Sequence, residues 1–177
     1  MVTSAAGNQA APGELERVRA LLNTWLIPND SRLATDCFDD YARQQELRGG
    51  DAVAVRLLRD ELRQLVEQPS AAPGPIDRWV SELDVRPAIR SGRLTFVHQG
   101  RHAGEILVIV LTAIAEDRLD RLKACPDCRW VFYDHTRNAS KRWCLMNASG
   151  PQGRGCGTIA KVRRYRQRSQ TPSPSPN

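Results

Sequence analysis

Apolar positions recur at helical spacing in several stretches of the chain and alternate in one. Over 14–27, Leu15, Val18, Leu21, Leu22, Trp25 and Leu26 fall on one face of a helix that Pro28 ends, with Asn23 and Thr24 on its surface or last turn. Asn29, Asp30 and Ser31 are turn residues, and Thr35 or Asp36 can cap a second helix to about residue 47 with Cys37, Phe38, Tyr41 and Leu47 inward. Cys37 has no Cys or His beside it and reads as a buried small hydrophobe. After Gly49 and Gly50, Asp51 caps a strong helix to about residue 68, with Val53, Leu57, Leu58, Leu62, Leu65 and Val66 facing the core. Its Arg56, Arg59 and Arg63 alternate with Asp60, Glu61 and Glu67, the pattern of a solvated face with spaced ion pairs.

The run PSAAPGP at 69–75 reads as a linker, and Trp79, Val80 and Leu83 mark a short helix over 76–83. Leu94, Phe96 and His98 then alternate with Thr95, Val97 and Gln99, which predicts a β-hairpin or a strand pair around 86–104 with Gly100 at a turn. His98 and His102 would meet at this spacing on a helix, but not on a hairpin, and no carboxylate motif accompanies them. Residues 105–117 begin rich in β-branched side chains yet extend past ten residues, a length that favours a buried central helix; Leu119 and Leu122 pack after it.

The chemistry lies further on. Cys125 and Cys128 have two residues between them, and Cys144 and Cys156 follow after fifteen and eleven more. A close pair forms a knuckle that aims two sulfurs at one point, and tetrahedral zinc takes two further thiolates from later in the chain. Four thiolates leave no open position for water, so one structural Zn2+ held by Cys125, Cys128, Cys144 and Cys156 is expected. A redox pair or a disulfide set is the competing reading; the latter needs an oxidising compartment. His135 reads as a loop residue. The aromatic strand 130–133 supplies Trp130 and Phe132 to the core of a small domain that needs its metal. Asp134 can cap the turn or helix carrying Arg137, Lys141 and Arg142, and Thr158 can cap a terminal helix carrying Lys161, Arg163, Arg164, Arg166 and Arg168. Ile159 and Val162 would dock that helix on the finger.

Charge sharpens this picture. The chain of 177 residues has net charge +6, yet 123–168 holds eleven Lys and Arg against Asp127 and Asp134, a balance of +9 that leaves −3 for the rest. A slightly acidic body with a strongly basic end points to a polyanion partner for that end. Expected nucleic-acid contacts are Arg137, Lys141, Arg142, Lys161, Arg163, Arg164, Arg166 and Arg168. Residues 2–13 lack a basic start and an apolar core, so no signal peptide is read, and the apolar run 106–115 is too short to cross a bilayer. A cytoplasmic protein with reduced thiols and no membrane contact is expected.

The run LKACPDCRWVFYDHTRNASKRWCLM, followed by CGTIAKVRRYRQR, resembles the CGNR zinc-finger family, bacterial proteins with an N-terminal ABATE domain that are described as stress-induced transcription regulators. Leu22-Asn23-Thr24 is similar to the ABATE part. The chain departs from the family twice: Thr158-Ile159 stands where the family has Asn-Arg, and 147–155 carries an insertion. A Gly-rich insertion can loop out at little cost because closure entropy grows slowly with length. The expected fold is α+β: a lead over 1–13 without structure, a mainly helical ABATE-like domain with a small β-hairpin over 14–122, a treble-clef-like zinc finger over 123–169 ending in a basic helix, and a flexible tail over 170–177. The expected function is a DNA-binding transcriptional regulator whose N-terminal domain senses a small-molecule effector or mediates assembly as a homodimer. The alternative is an RNA- or protein-interaction module in which the finger is scaffold. No nucleophile elbow, phosphate-cradling loop or open metal site supports an enzyme.

Overall fold

Three helices pack on one another to form the body, and a short hairpin from the cysteine region closes one side of it. The computed structural model describes residues 9–68, 74–145 and 155–169. In chain order the elements are α1 (Leu15–Leu22), β1 (Trp25–Leu26), β2 (Thr35–Asp36), α2 (Phe38–Gln44), α3 (Gly49–Glu67), α4 (Gly74–Glu82), β3 (Arg86–Arg90), β4 (Arg93–Val97), α5 (His102–Ala115), a 3-10 turn (Leu119–Arg121), β5 (Leu122–Ala124), β6 (Val131–Tyr133) and α6 (Cys156–Ser169). The architecture is α+β, with three separate antiparallel strand pairs: β1 with β2, β3 with β4, and β5 with β6.

The core follows from the apolar stripes. Leu15, Val18, Leu21 and Leu22 of α1 meet Val55, Leu58 and Leu62 of α3 and Ile106, Leu107 and Val110 of α5. The apolar run at 106–115 is a buried helix, as its length predicts. No helix among the described residues is long and apolar enough to cross a membrane.

Several local expectations are corrected. The first helix ends at Leu22, and Trp25–Leu26 instead pairs with Thr35–Asp36. Cys37 is exposed, since α2 begins after it and turns only Phe38 fully inward. The inner stripe of α3 is Val55, Leu58, Arg59, Leu62 and Arg63, while Val53 and Leu57 are 60% and 52% exposed. Two arginines placed on the solvated face are therefore core residues. Arg59 forks onto both carboxylate oxygens of Asp36 at 2.7 and 2.9 Å and donates to Thr24 Oγ1. The hydrogen bonds from Arg59 hold the Asp36 carboxyl below its ordinary range. Arg56 remains at the surface, half-buried over the Phe38 ring.

The predicted hairpin exists, but its turn is at Ser91-Gly92 and not at Gly100. Both turn residues have positive φ, 51° and 73°, as a two-residue turn matched to strand twist requires. His98 leaves β4 to bond the Gly100 carbonyl, and its ring occupies the space a side chain at Gly104 would need. His102 lies 3.9 Å from Asp51. Neither histidine joins a metal-ligating group among the described residues. Residues 9–13, expected in an unstructured lead, include buried Gln9 and Ala11 packed at the β5–β6 hairpin. Most of the predicted linker at 69–75, the remainder of the lead and the tail fall outside the described residues.

Candidate metal centre and finger surface

The knuckle sits in the connection between β5 and β6. Cys125 N donates to Trp130 O at 2.8 Å and Arg129 N to Cys125 O at 2.9 Å, and Arg129 takes a left-handed φ of 62° to close the turn. Cys144 arrives by a loop organised on Asp134, which is fully buried. The Asp134 carboxylate accepts from Thr136 N and Oγ1, Lys141 N and Lys123 Nζ at 2.6–2.9 Å. Burial alone would raise its pKa, but the bonds from Thr136, Lys123 and Lys141 prevail and hold it well below the usual carboxylate range. This segment is a turn-rich loop with no helix. Cys156 is the first residue of α6, where the helix N-terminus favours a thiolate.

The four sulfurs of Cys125, Cys128, Cys144 and Cys156 all lie within 4.8 Å of one another, and all four residues are buried. Cys128 and Cys144 sulfurs are 3.4 Å apart, Cys144 and Cys156 3.6 Å, and none is disulfide-bonded. A tetrahedron of thiolates around zinc has edges of about 3.8 Å, so the set fits the ion. The electrostatics agree. Hydrogen bonding from Cys128, then Cys144 and Cys156, draws the Cys125 thiol strongly down, while the bonds to Cys125 push Cys128 and Cys144 up. A bound dication favours the deprotonated form of every sulfur and lets all four ligate as thiolates. With four sulfur donors the site is closed, and it is one structural zinc site. Phe132 is buried beside the cysteines, with Trp130, Trp143 and Leu145 around them. The aromatic strand packs the finger, as expected. His135 is an exposed loop residue bonded to Ala10 O.

The body supplies much of the shell around this site. Ile27 N donates to Cys128 O at 2.9 Å, and Asn29 Nδ2 reaches Cys156 Sγ at 3.4 Å. Arg32 forks onto Asp127 at 3.2 Å to each carboxylate oxygen. Gln9 Nε2 donates to Cys144 O, and Gln9 Oε1 accepts from Trp130 Nε1. Asn23 brackets one residue of β6, accepting from Val131 N at 2.7 Å and donating to Val131 O at 2.8 Å. Arg63 donates to Arg129 O at 3.0 Å. Asn23 thus has a defined task where periodicity gave it only a helix-surface position.

Partners around metal ligands commonly change affinity 10- to 100-fold when removed. Asn29→Ala should therefore speed zinc transfer to a chromophoric chelator by at least about tenfold with the helical circular dichroism unchanged. Transfer at the wild-type rate would show that the amide does not hold Cys156.

Of the expected nucleic-acid residues, Arg163, Arg164, Lys141 and Arg142 border the knuckle residue Pro126. Lys161, Arg163, Arg164 and Arg166 are exposed on α6; Arg163 lies 3.8 Å from Asp127. Arg168 is in α6, with its side chain outside the described residues. Val162 is 45% exposed and does not dock as expected, whereas Ile159 is half-buried. Trp143 and Pro126 share a small cleft with Arg163 and Arg164, and Pro126 also borders the groove lined by Lys141 and Arg142. Lys141 lies over the Phe132 ring and Arg142 over Trp143. Arg137 is exposed on the Asp134 loop. The insertion lies largely in 146–154, outside the described residues. No curated protein matches this chain. Residues 121–169, which contain all four clustered cysteines and the basic helix, match the family model of the CGNR zinc finger.

Proposed function

We propose that this chain is a DNA-binding transcriptional regulator that grips DNA with its zinc finger, acts in the cytoplasm and is not an enzyme. One observation carries the reading: every residue from Lys161 to Arg166 is exposed, on a helix whose first residue is a zinc-ligand candidate. A helix polar nearly all round gains little from packing and is left for a partner. Lys161, Arg163, Arg164 and Arg166 can track phosphates, and an arginine can fork onto a guanine edge in the major groove. Lys141 and Arg142 extend the cationic surface past Pro126. The N-terminal helices would then sense an effector or mediate assembly. Tyr165, 72% exposed on the same helix, favours a second reading in which unpaired RNA bases stack there.

Changing Arg163, Arg164 and Arg166 together to Gln should weaken duplex DNA binding and lower the slope of log affinity against log salt by about 2–3, as expected when that many phosphate contacts are lost. Fluorescence anisotropy across a salt series checks this. An unchanged affinity and slope would remove α6 from the mechanism, and stronger retention of single-stranded RNA than of duplex would favour the second reading.

A further inference from the structure

A groove of about 880 Å³ lies where the helical body meets the finger, within the size range of small-molecule sites. Leu65 and Val66 of α3, Ile76 of α4, Ile114 of α5 and Leu122 of β5 form its apolar wall. Ile114 is 42% exposed, an apolar side chain that the fold leaves facing this space. Lys141 and Arg142 of the finger loop border the same groove, and among the described residues neither forms an ion pair with a carboxylate. Lys123 is already held by Asp134, and Glu67 by Arg63 and Arg129. Asp117 and Asp120, both exposed, come from the α5–β5 connection and give that part of the lining a negative charge.

We infer that this groove binds a small monocarboxylic acid with an apolar body, its hydrocarbon on the Leu65–Ile76–Ile114–Leu122 wall and its carboxylate on Lys141 and Arg142. An apolar wall beside two cations without acidic partners suits this class. A phosphorylated sugar would leave the apolar wall uncovered and in water, and an amine would meet the finger cations. The aspartates direct the acid head away from their side. Because Lys141 and Arg142 also belong to the proposed DNA surface, a bound carboxylate would withdraw two cations from it. That consequence alone rests on the DNA-binding reading.

Titration calorimetry of the zinc-loaded full chain with decanoate and decanol tests the site without nucleic acid. Decanoate should bind saturably, one per chain. Ile114→Glu should weaken decanoate and decanol alike by about tenfold or more. Lys141→Gln with Arg142→Gln should weaken decanoate by about tenfold and leave decanol unchanged. Absence of saturable decanoate binding, or binding indifferent to Ile114→Glu, overturns the inference; equal loss of decanol in the double variant overturns the carboxylate assignment. Saturating decanoate should also lower DNA affinity. If decanoate binds and no DNA is bound under any condition, the site stands and the DNA reading falls.

Discussion

Removing zinc from the full chain with a chelator is expected to lower the melting of the helical body together with that of the finger, in one cooperative transition. The reason is the alternation of β6. Phe132 points into the cysteine cluster, while its neighbours Val131 and Tyr133 are buried in the core formed by α1, α3 and α5. The metal holds a small unit that has one fully buried aromatic ring and little other core. Structural zinc contributes on the order of 10 kcal/mol to folding such a unit. Once the four thiols lose the ion, the knuckle opens and β6 loses its anchor. The body then gives up the burial of Val131 and Tyr133 and leaves Asn23, Arg19 and Arg63 without the β6 and knuckle carbonyls they bond. Each buried group left unpaired costs about 1–3 kcal/mol.

Those losses sum to several kcal/mol, and each is worth a few degrees in a chain of this size, so the helical melt should fall by about 10 °C or more. Far-ultraviolet circular dichroism followed against temperature, with and without chelator, measures it. Two separate transitions, with the helical one unmoved by chelation, would show instead that the finger is an independent module hung on a self-sufficient body.

The sequence reading divides body from finger at residues 122 and 123, because local patterns do not register the contacts between them. Spacing made the four cysteines legible because ligand geometry restricts how they can be placed, and the structure gathers all four. Helical periodicity likewise located α1 and α3, since one stripe of each must be buried, and the length of its apolar run located α5. Periodicity assigns charge to water, however, and so it placed Arg59 and Arg63 on a solvated face. In the fold these side chains are 2% and 5% exposed because loop carbonyls and an aspartate on neighbouring segments need donors inside. The partners are 23 to 66 residues away in the chain, beyond any local pattern. Gln9, Asn29 and Arg32 were missed for the same reason: each is an ordinary polar residue until the fold brings it to the knuckle. Only Asn23 carried a signal, through its resemblance to a family motif, and that signal gave no hint of its partner.

Arg63→Ala is expected to destabilise the zinc-loaded chain by about 3 kcal/mol, a size typical of removing one partner from a buried charge network. Its Nη1 donates to Leu22 O at 2.5 Å, at the end of α1, and its Nη2 to Arg129 O and to Glu67 at 2.6 Å. The guanidinium also lies 4.6 Å from the centre of the Trp25 ring. One planar fork therefore ties α1, β1, α3 and the knuckle together. Burial draws its pKa down, against the pull of Glu67, but a guanidinium keeps its proton. Lysine has a single nitrogen and cannot meet both carbonyls from one position, so Arg63→Lys should recover less than half of the loss. Arg56→Ala on the same helix supplies the contrast, because its pairs with Asp39 and Asp36 are partly exposed and are worth at most about 1 kcal/mol. Urea denaturation of the three variants separates the cases. Equal, small losses at Arg63 and Arg56 would return Arg63 to the surface. A large loss at Arg63 alone, accompanied by faster zinc release through the unsupported Arg129 turn, would establish it as the bolt between body and finger.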